Sequence, residues 1–237
     1  RVRIFTPRAE VKFAGHPTIG TTAVLAALGR IALTDGRGTG RLLEGVGPVS
    51  VDVHAGEDGP PYARLTLPPA LEMPTGAPTP TALAAILSLT PDKVRAVDCA
   101  SVGLPFCMVH LADRAAVDAA MLDRTAWTAT LAALWSSNIF MYAGDTAPDG
   151  QLYARMFAPA LGVEEDPATG SAVAALAGMI ASRLDVTEGS FNWRVEQGVR
   201  MGRPSVIDTG AAKQGGRVTS VYVGGYSVIV GEGTMRL

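Results

Sequence analysis

Two segments of the chain repeat one pattern of residues, and this repeat limits the possible folds more than any other feature. Residues 3–28 (RIFTPRAEVKFAGHPTIGTTAVLAAL) and 155–176 (RMFAPALGVEEDPATGSAVAAL) share Arg-x-Phe-x-Pro, then x-Pro-x-x-Gly-(Thr/Ser), then an Ala-rich apolar run. His16 of the first segment corresponds to Asp166 of the second, and Gly20 corresponds to Gly170 at the same offset. Agreement at this many special positions predicts an internal duplication, in which two similar units build one fold.

The apolar run of each copy predicts a helix without a polar face. Residues 22–28 (TAVLAAL) and 172–177 (AVAALA) contain almost no polar side chain, and a helix that is apolar all round is buried on every side. We therefore expect each helix to pass through the middle of a curled sheet. The starts of the two helices would then meet at a cleft between the units.

The order of the elements predicts an α+β fold. Strand and helix patterns do not alternate regularly, which disfavours a doubly wound parallel sheet. The pattern favours two pseudo-symmetric lobes, each a mostly antiparallel sheet curled around its apolar helix. The predicted strands are residues 2–5, 48–54, 62–67, 106–111, 137–143, 152–157, 190–196, 217–223 and 226–230, and the predicted helices are residues 18–29, 80–89, 113–121, 126–134 and 169–183.

A proline-rich stretch divides the predicted fold. Five prolines between residues 68 and 80 are typical of a linker. We expect residues 1–70 to form lobe one, completed by about 222–237, and residues 71–221 to form lobe two. Because residues 1–5 already have a strand pattern, we also expect the first strands of lobe one to precede residue 1.

Composition excludes several classes of protein. The apolar content of 48% is too high for a disordered chain. A formal net charge of −2 without a Lys/Arg cluster argues against a nucleic-acid-binding surface, and no apolar run reaches the roughly 18 residues of a membrane span. Cys99 and Cys107 are too few for a disulfide framework, so they predict two buried free thiols in a reducing cytoplasm.

Asp166 and His16 are the candidate catalytic residues. Asp166-Pro167 fits a helix start, since Asp is a favoured N-cap and Pro suits the first helical position, so a purely structural role is one alternative. Glu164 and Glu165 lie in the same turn, and neighbouring carboxylates disfavour each other's ionisation. This would favour a proton on Asp166, as a general acid needs. His16 is a poor N-cap, but its side chain titrates nearest neutral pH.

The two helix starts predict a site for a small anion. Unpaired N–H groups and the positive ends of two helix dipoles would converge there, and Gly20 and Gly170 would allow close approach. Thr21 and Ser171 could add hydroxyl donors. The expected ligand is a small carboxylic acid. The three histidines of the chain share no metal-ligand spacing, so no metal site is expected.

Three motifs carry a resemblance to a known family. Residues 13–20 (FAGHPTIG), 165–172 (EDPATGSA) and 197–205 (QGVRMGRPS) resemble, in that order, three signatures of the PhzF-like family. These are the phenazine-biosynthesis PhzF proteins and their isomerase and epimerase relatives. The resemblance runs from residue 1 to about residue 237. It implies the diaminopimelate-epimerase-like fold, an active site between two similar lobes, and a cofactor-free isomerase that transfers protons and is usually a homodimer.

The resemblance also implies roles for particular residues. The family's catalytic histidine and aspartate fall on His16 and Asp166, its substrate-binding Gly-Ser pair falls on Gly170 and Ser171, and Gly15 lines the opposite side. The family's principal base is a glutamate in a Ser-Glu-(Ser/Thr) motif that precedes the segment matched here, and no such motif occurs within residues 1–237. Related racemases have paired cysteines where this chain has its histidine and aspartate, so cysteine-based racemisation is not expected.

Two functions are consistent with these features. The first is an isomerase in which Asp166, His16 and a glutamate supplied by sequence that precedes residue 1 move a proton on a small unsaturated or α-substituted carboxylic acid. The second is a catalytically silent member that keeps the fold as a binding or interaction protein. The upstream coding sequence would discriminate between them, because a protein without the Ser-Glu-(Ser/Thr) glutamate fits the second. The motifs do not identify the substrate, since one fold hosts many functions.

Overall fold

The computed structural model describes residues 1–6, 10–56, 59–68 and 70–234. Within these ranges the strands are β1 (Ile4–Phe5), β2 (Glu10–Val11), β3 (Arg37–Glu44), β4 (Gly47–His54), β5 (Tyr62–Leu67), β6 (Val94–Ser101), β7 (Pro105–Leu111), β8 (Ile139–Gly144), β9 (Gln151–Phe157), β10 (Gly189–Gln197), β11 (Ser205–Gln214) and β12 (Arg217–Tyr226). The α-helices are α1 (Gly15–Ala27), α2 (Pro80–Ile86), α3 (Arg114–Ala119), α4 (Arg124–Thr130) and α5 (Gly170–Arg183). None of these helices is long and apolar enough to cross a lipid bilayer.

Ten of the strands form one large sheet. Its order is β3-β4-β5-β12-β11-β10-β9-β8-β7-β6, and β1 and β2 form a separate pair. Neighbouring strands of the large sheet are antiparallel except at β9–β10 and β7–β8, which are parallel. The prediction of an α+β fold with a mostly antiparallel sheet is therefore confirmed.

The two halves of the chain enter this sheet in the same way. β5 and β12 pair with each other in antiparallel fashion, β4 and β3 continue outward from β5, and β11 and β10 continue outward from β12. α1 precedes β3–β5 and packs on β4 and β5, while α5 precedes β10–β12 and packs on β11 and β12. Each half therefore supplies a helix followed by three antiparallel strands. The division into lobes after residue 70 stays a prediction, since the sheet is continuous from one half to the other.

The two apolar helices differ in how far the sheet covers them. Residues 170–181 of α5 are all buried, because the sheet curls until β6 and β7, as well as β10–β12, contact the helix. Among the described residues, the first helix is not buried on every side as predicted. Val24 is 41% exposed and Leu28, directly after α1, is 64% exposed. The strand contacts of α1 are concentrated on β3–β5 and β12, so the sheet covers one face of this helix.

Local residue patterns predict no strand at β3, β6 or β11, yet the structure has all three. β3 (RGTGRLLE) contains two glycines and a glutamate, which are types that strands disfavour. It nevertheless pairs with β4 along its whole length, because cross-strand pairing outweighs local preference. The strand predicted at residues 226–230 is not formed beyond Tyr226, where β12 ends.

Glu44, at the end of β3, is a buried carboxyl group beside α1. Its Oε1 lies 2.6 Å from the Thr18 hydroxyl, and that hydroxyl lies 2.7 Å from the Ala14 carbonyl oxygen. The Thr18 hydroxyl therefore lies between two acceptors and donates to Glu44 in competition with the Ala14 carbonyl oxygen. Its Oε2 has no hydrogen-bond partner among the described residues. Burial raises the pKa of the Glu44 carboxyl group.

Glu44→Gln should therefore change how stability depends on pH. The folded state binds the Glu44 proton more tightly than the unfolded state does. Proton binding at Glu44 therefore contributes to the unfolding free energy, and this contribution is complete below the unfolded-state pKa of about 4.3. It is lost as pH rises through the higher folded-state pKa. Glutamine stays neutral, so the stability of the variant relative to the wild type should increase as pH rises from 4 to 8, as measured by urea unfolding. A difference that does not change with pH would contradict this prediction.

Candidate active site

The first turns of α1 and α5 contact each other through glycine. Gly15 is the first residue of α1 and Gly170 is the first residue of α5. A Cβ atom on Gly15 would lie 2.7 Å from the Cα atom of Gly170, so backbone packs directly on backbone. The prediction that Gly20 makes this close approach is wrong. The Pro-x-x-Gly segment of the first copy is helical, which places Gly20 in the second turn of α1, where a Cβ atom would meet nothing within 4 Å.

A cavity of about 210 Å³ lies beside this contact. Gly15 and His16 line it from the start of α1, Gly170 and Ser171 line it from the start of α5, and Asp166 lines it from the loop before α5. The structure thus brings all five sequence-predicted site residues to one cavity. The apolar part of the wall comes from Ile4, Phe5, Val11, Phe13, Leu104, Met156, Ala158, Leu161 and Val163.

The His16 side chain is exposed and has a defined orientation. Its Nδ1 lies 2.8 Å from the Ala168 carbonyl oxygen. Because a carbonyl only accepts, Nδ1 carries the hydrogen and donates it. In the neutral imidazole, Nε2 then has the free lone pair. The ring can therefore take up a proton at Nε2.

Asp166 is partly buried in the loop that leads into α5. The Thr169 hydroxyl donates to its Oδ2 at 2.7 Å. The interpretation of Asp166 as the N-cap is wrong, because α5 begins only at Gly170 and Thr169 occupies the cap position. The segment from Asp166 to Ala168 stays outside the helix, so the carboxyl group borders the cavity and does not cap the first turn.

Gln197, at the end of β10, holds this loop in place. The side chain is fully buried. Its Nε2 donates to the Asp166 carbonyl oxygen at 2.7 Å and to the Thr169 hydroxyl oxygen at 2.9 Å, while its Oε1 accepts from the Thr169 N–H at 3.0 Å. Gln197 and Thr169 therefore form a hydrogen-bonded chain that ends on the Asp166 carboxyl group. Residue-type reasoning missed Gln197, although it is the first residue of the 197–205 motif.

The two glutamates before Asp166 are paired with arginines. Arg155 donates to both carboxylate oxygens of Glu165, each at 2.9 Å, and Arg124 pairs with Glu164. These cations offset the negative charge next to Asp166. The sequence argument for a protonated Asp166 depends on two unpaired glutamates beside it. Because both glutamates are paired, that argument is wrong.

The arginine of Arg-x-Phe-x-Pro makes the same type of contact in both copies. Arg3 donates to the two carboxylate oxygens of Glu10 at 2.9 and 2.8 Å, as Arg155 does to Glu165. Arg155 is buried and also donates to the Val117 carbonyl oxygen at 2.9 Å. Arg3 directly precedes β1 and Arg155 lies in β9, and each arginine is paired with a glutamate that precedes the helix of its copy. The motif alone does not reveal this role.

The first turn of α5 offers hydrogen-bond donors to the cavity. The N–H groups of Gly170 and Ser171 have no acceptor within the helix, and the positive end of the helix dipole lies at the same place. Ser171 is a largely buried residue that lines the same cavity, so its hydroxyl can add a further donor. These donors suit a carboxylate or another small anion.

Comparison with known proteins identifies the family. Residues 1–233 match the family model described as phenazine biosynthesis-like protein. The chain belongs to this PhzF-like family. The resemblance inferred from the three motifs is therefore confirmed.

The PhzF-like chain has named relatives along its whole length. It is 36% identical over 243 residues to an uncharacterized isomerase of Mesorhizobium japonicum, covering 99% of this chain and 79% of the relative. It is 33% identical over 244 residues to the trans-2,3-dihydro-3-hydroxyanthranilate isomerase of Pseudomonas aeruginosa, covering 100% and 79%. The solved PhzF-family phenazine biosynthesis protein of Bacillus anthracis aligns with a TM-score of 0.79 at 18% identity, covering 94% of this chain and 76% of that one. The sequence relatives support an isomerase, and the solved structure supports the fold.

Other cavities of the PhzF-like chain are lined by fewer of the predicted site residues. One of about 750 Å³ lies between the start of α3 and strands β9 and β10 and includes none of the predicted site residues. Another of about 400 Å³ borders His16 next to β11 and β12 but does not include Asp166. Within the described ranges, no group of three or more His, Cys, Asp or Glu side chains is arranged to hold a metal ion. The cavity of about 210 Å³ is therefore the candidate active site.

Proposed function

We propose that this protein is a cofactor-free isomerase that moves a proton on a small carboxylic acid bound between the starts of α1 and α5. The observation that carries the proposal is that His16 and Asp166 line one cavity together with the first turn of α5. Membership of a family whose named relatives are isomerases supports the same class of reaction.

The cavity suits a small acid. Its volume of about 210 Å³ is below the roughly 300 Å³ at which pockets for drug-sized ligands begin. A carboxylate would bind the N–H groups of Gly170 and Ser171 and the Ser171 hydroxyl. The apolar wall around Phe13 and Met156 would then contact the hydrocarbon part. The Pseudomonas aeruginosa relative is named for an anthranilate, which is a carboxylic acid of this size.

The side chains divide the proton transfer between them. His16 accepts a proton at Nε2 while the Ala168 carbonyl oxygen fixes its ring. Asp166 exchanges a proton with the substrate from the α5 side, oriented by the Thr169 hydroxyl. Because the carboxylate lies at the helix start, the helix dipole stabilises negative charge that develops as the proton leaves.

The proposal also covers the internal duplication of the protein, its oligomeric state and its location in the cell. We infer that the two halves are copies of one unit, which is supported by the shared order of a helix and three antiparallel strands. We further propose a homodimer with no bound cofactor, as the PhzF-like resemblance implies. We place it in the cytoplasm because two cysteines kept as free thiols are typical of a reducing compartment.

Deuterium exchange tests the reaction without knowledge of the substrate. The purified protein is incubated in heavy water with a panel of small cyclic unsaturated and α-substituted carboxylic acids, each matched by its primary amide. We expect deuterium at carbon in at least one acid, detected by NMR, and none in its amide, because the amide lacks the charge that the helix start binds.

Two outcomes would contradict the proposal in different ways. Binding of acids by calorimetry without any exchange would support a binding protein in place of an enzyme. Equal exchange of an acid and its amide would mean that the start of α5 does not recognise a carboxylate.

A further inference from the structure

The two cysteines lie directly opposite each other on neighbouring antiparallel strands. Cys99 of β6 is in register with Cys107 of β7. Residues directly opposite in such a pair have Cα atoms about 4.5–5.5 Å apart and side chains on the same face. Disulfides span about 4.4–6.8 Å between Cα atoms. The backbone therefore already has the spacing that a disulfide needs, although both thiols are free in the structure.

We propose that Cys99 and Cys107 form a redox-active pair that a peroxide converts into a cross-strand disulfide. The sequence predicts two inert buried thiols, and this stays the alternative. The register of β6 and β7 is the observation that favours the redox pair, since the thiols are eight positions apart in the chain but adjacent in the sheet.

The surroundings of the two thiols differ, and this difference indicates which thiol reacts first with the oxidant. Cys107 is buried, whereas Cys99 is partly exposed and lies on β6, the edge strand of the sheet. A hydrogen bond from the Cys107 thiol lowers the pKa of Cys99. The same hydrogen bond, together with burial, raises the pKa of Cys107. Cys99 is therefore the thiol that solvent reaches and that ionises first, which are the properties of an attacking cysteine.

The chemistry balances with one peroxide molecule. The Cys99 thiolate attacks a peroxide oxygen, the O–O bond breaks, and hydroxide leaves, which gives a sulfenic acid. The Cys107 sulfur then attacks the Cys99 sulfur, loses its proton, and displaces the sulfenic oxygen as water. In total, two thiols are oxidised to one disulfide and one peroxide is reduced to two waters.

The disulfide would fix the hairpin that connects β6 and β7. β6 lies at the edge of the large sheet, where it pairs with β7 and, at Ser101, with Glu72 through a single bridge. The turn between Cys99 and Cys107 includes Leu104, which is part of the wall of the candidate active-site cavity. Oxidation would therefore link β6, the edge strand, covalently to β7. The two linked residues lie on either side of a turn that borders the candidate active site.

A labelling experiment tests the proposal directly. The native protein is treated with hydrogen peroxide, unfolded, alkylated with iodoacetamide and digested with trypsin. Both cysteines fall in one tryptic peptide, residues 96–114, because no Lys or Arg lies between Arg95 and Arg114. We expect this peptide to lose both alkyl groups after peroxide and to regain them when dithiothreitol precedes alkylation. On a non-reducing gel the oxidised chain should migrate as a monomer.

Matched variants separate the two roles. Cys107→Ala should stop the reaction at a Cys99 sulfenic acid that dimedone traps, whereas Cys99→Ser should leave Cys107 fully alkylated because peroxide does not reach it. The proposal is overturned if the wild-type peptide keeps both alkyl groups. It is also overturned if Cys99 proceeds to sulfinic acid while Cys107 stays reduced, or if the disulfide joins two chains.

Discussion

Asp166→Asn should lower turnover by about 10²–10⁴-fold, the range that one positioned general acid or base contributes. The fold should be unchanged. Asparagine can still accept the hydrogen bond of the Thr169 hydroxyl, and the contact from Gln197 goes to the backbone carbonyl oxygen, which the substitution does not alter. The variant loses the ability to exchange a proton, together with the charge of an ionisable carboxyl group. Steady-state kinetics with an acid found in the deuterium screen measure kcat, and thermal unfolding checks the fold.

Glu164→Gln is the matched control, because it removes one negative charge from the same loop. Glu164 is exposed and pairs with Arg124, so it lies away from the proton transfer. The turnover of the Glu164→Gln variant should therefore stay close to that of the wild type. Wild-type turnover in the Asp166 variant would remove this residue from the mechanism. Equal losses in both variants would point to the overall charge of the loop as the cause.

Gly15→Ala should lower both the stability and the activity of the protein. The added Cβ atom would lie 2.7 Å from the Gly170 Cα atom and 3.3 Å from the Ser171 nitrogen. These are backbone atoms that cannot rotate away, so the two helix starts must separate. Overpacking of this type costs about 1–3 kcal/mol of unfolding free energy. A shift of about 1 Å at a catalytic site can lower the rate roughly 100-fold.

Gly20→Ala provides the matched control in the same helix. A Cβ atom there meets nothing within 4 Å, and alanine in a helix interior is favoured over glycine by about 0.5–1 kcal/mol. The control should therefore be slightly more stable than the wild type and fully active. Urea unfolding and the exchange assay measure both effects. If Gly15→Ala behaved like Gly20→Ala, the helix starts would not be in contact in solution.

The repeated motif made much of the site predictable, but not its geometry. His16, Asp166 and Ser171 could be chosen from the sequence because functional residue types occur at equivalent places in two copies. The same equivalence led to two errors, at Gly20 and at the Asp166 cap. Both arose because the Pro-x-x segment before this glycine is helical in the first copy and lies in the loop before the helix in the second. Two similar sequences can thus differ in local conformation when a distant residue stabilises one of them, as Gln197 does here.

Contacts that depend on tertiary structure were not predictable from local patterns. Examples are the bond from Gln197 to the Asp166 loop and the pairing of Arg155 with Glu165. The opposition of Cys99 to Cys107 depends on strand register. Register is set by the whole sheet, since each strand must bury its apolar face against its neighbours.

The amino-acid sequence by itself determined the family, the two-part pattern, and the choice of His16 and Asp166, because these depend on residue types at fixed spacing along the chain. Only the tertiary structure decided that Gly15, and not Gly20, meets Gly170, and that β6, β7 and β10–β12 enclose α5. The physical reason is that burial and close approach depend on which strands surround each helix, and the packing of the whole sheet decides that.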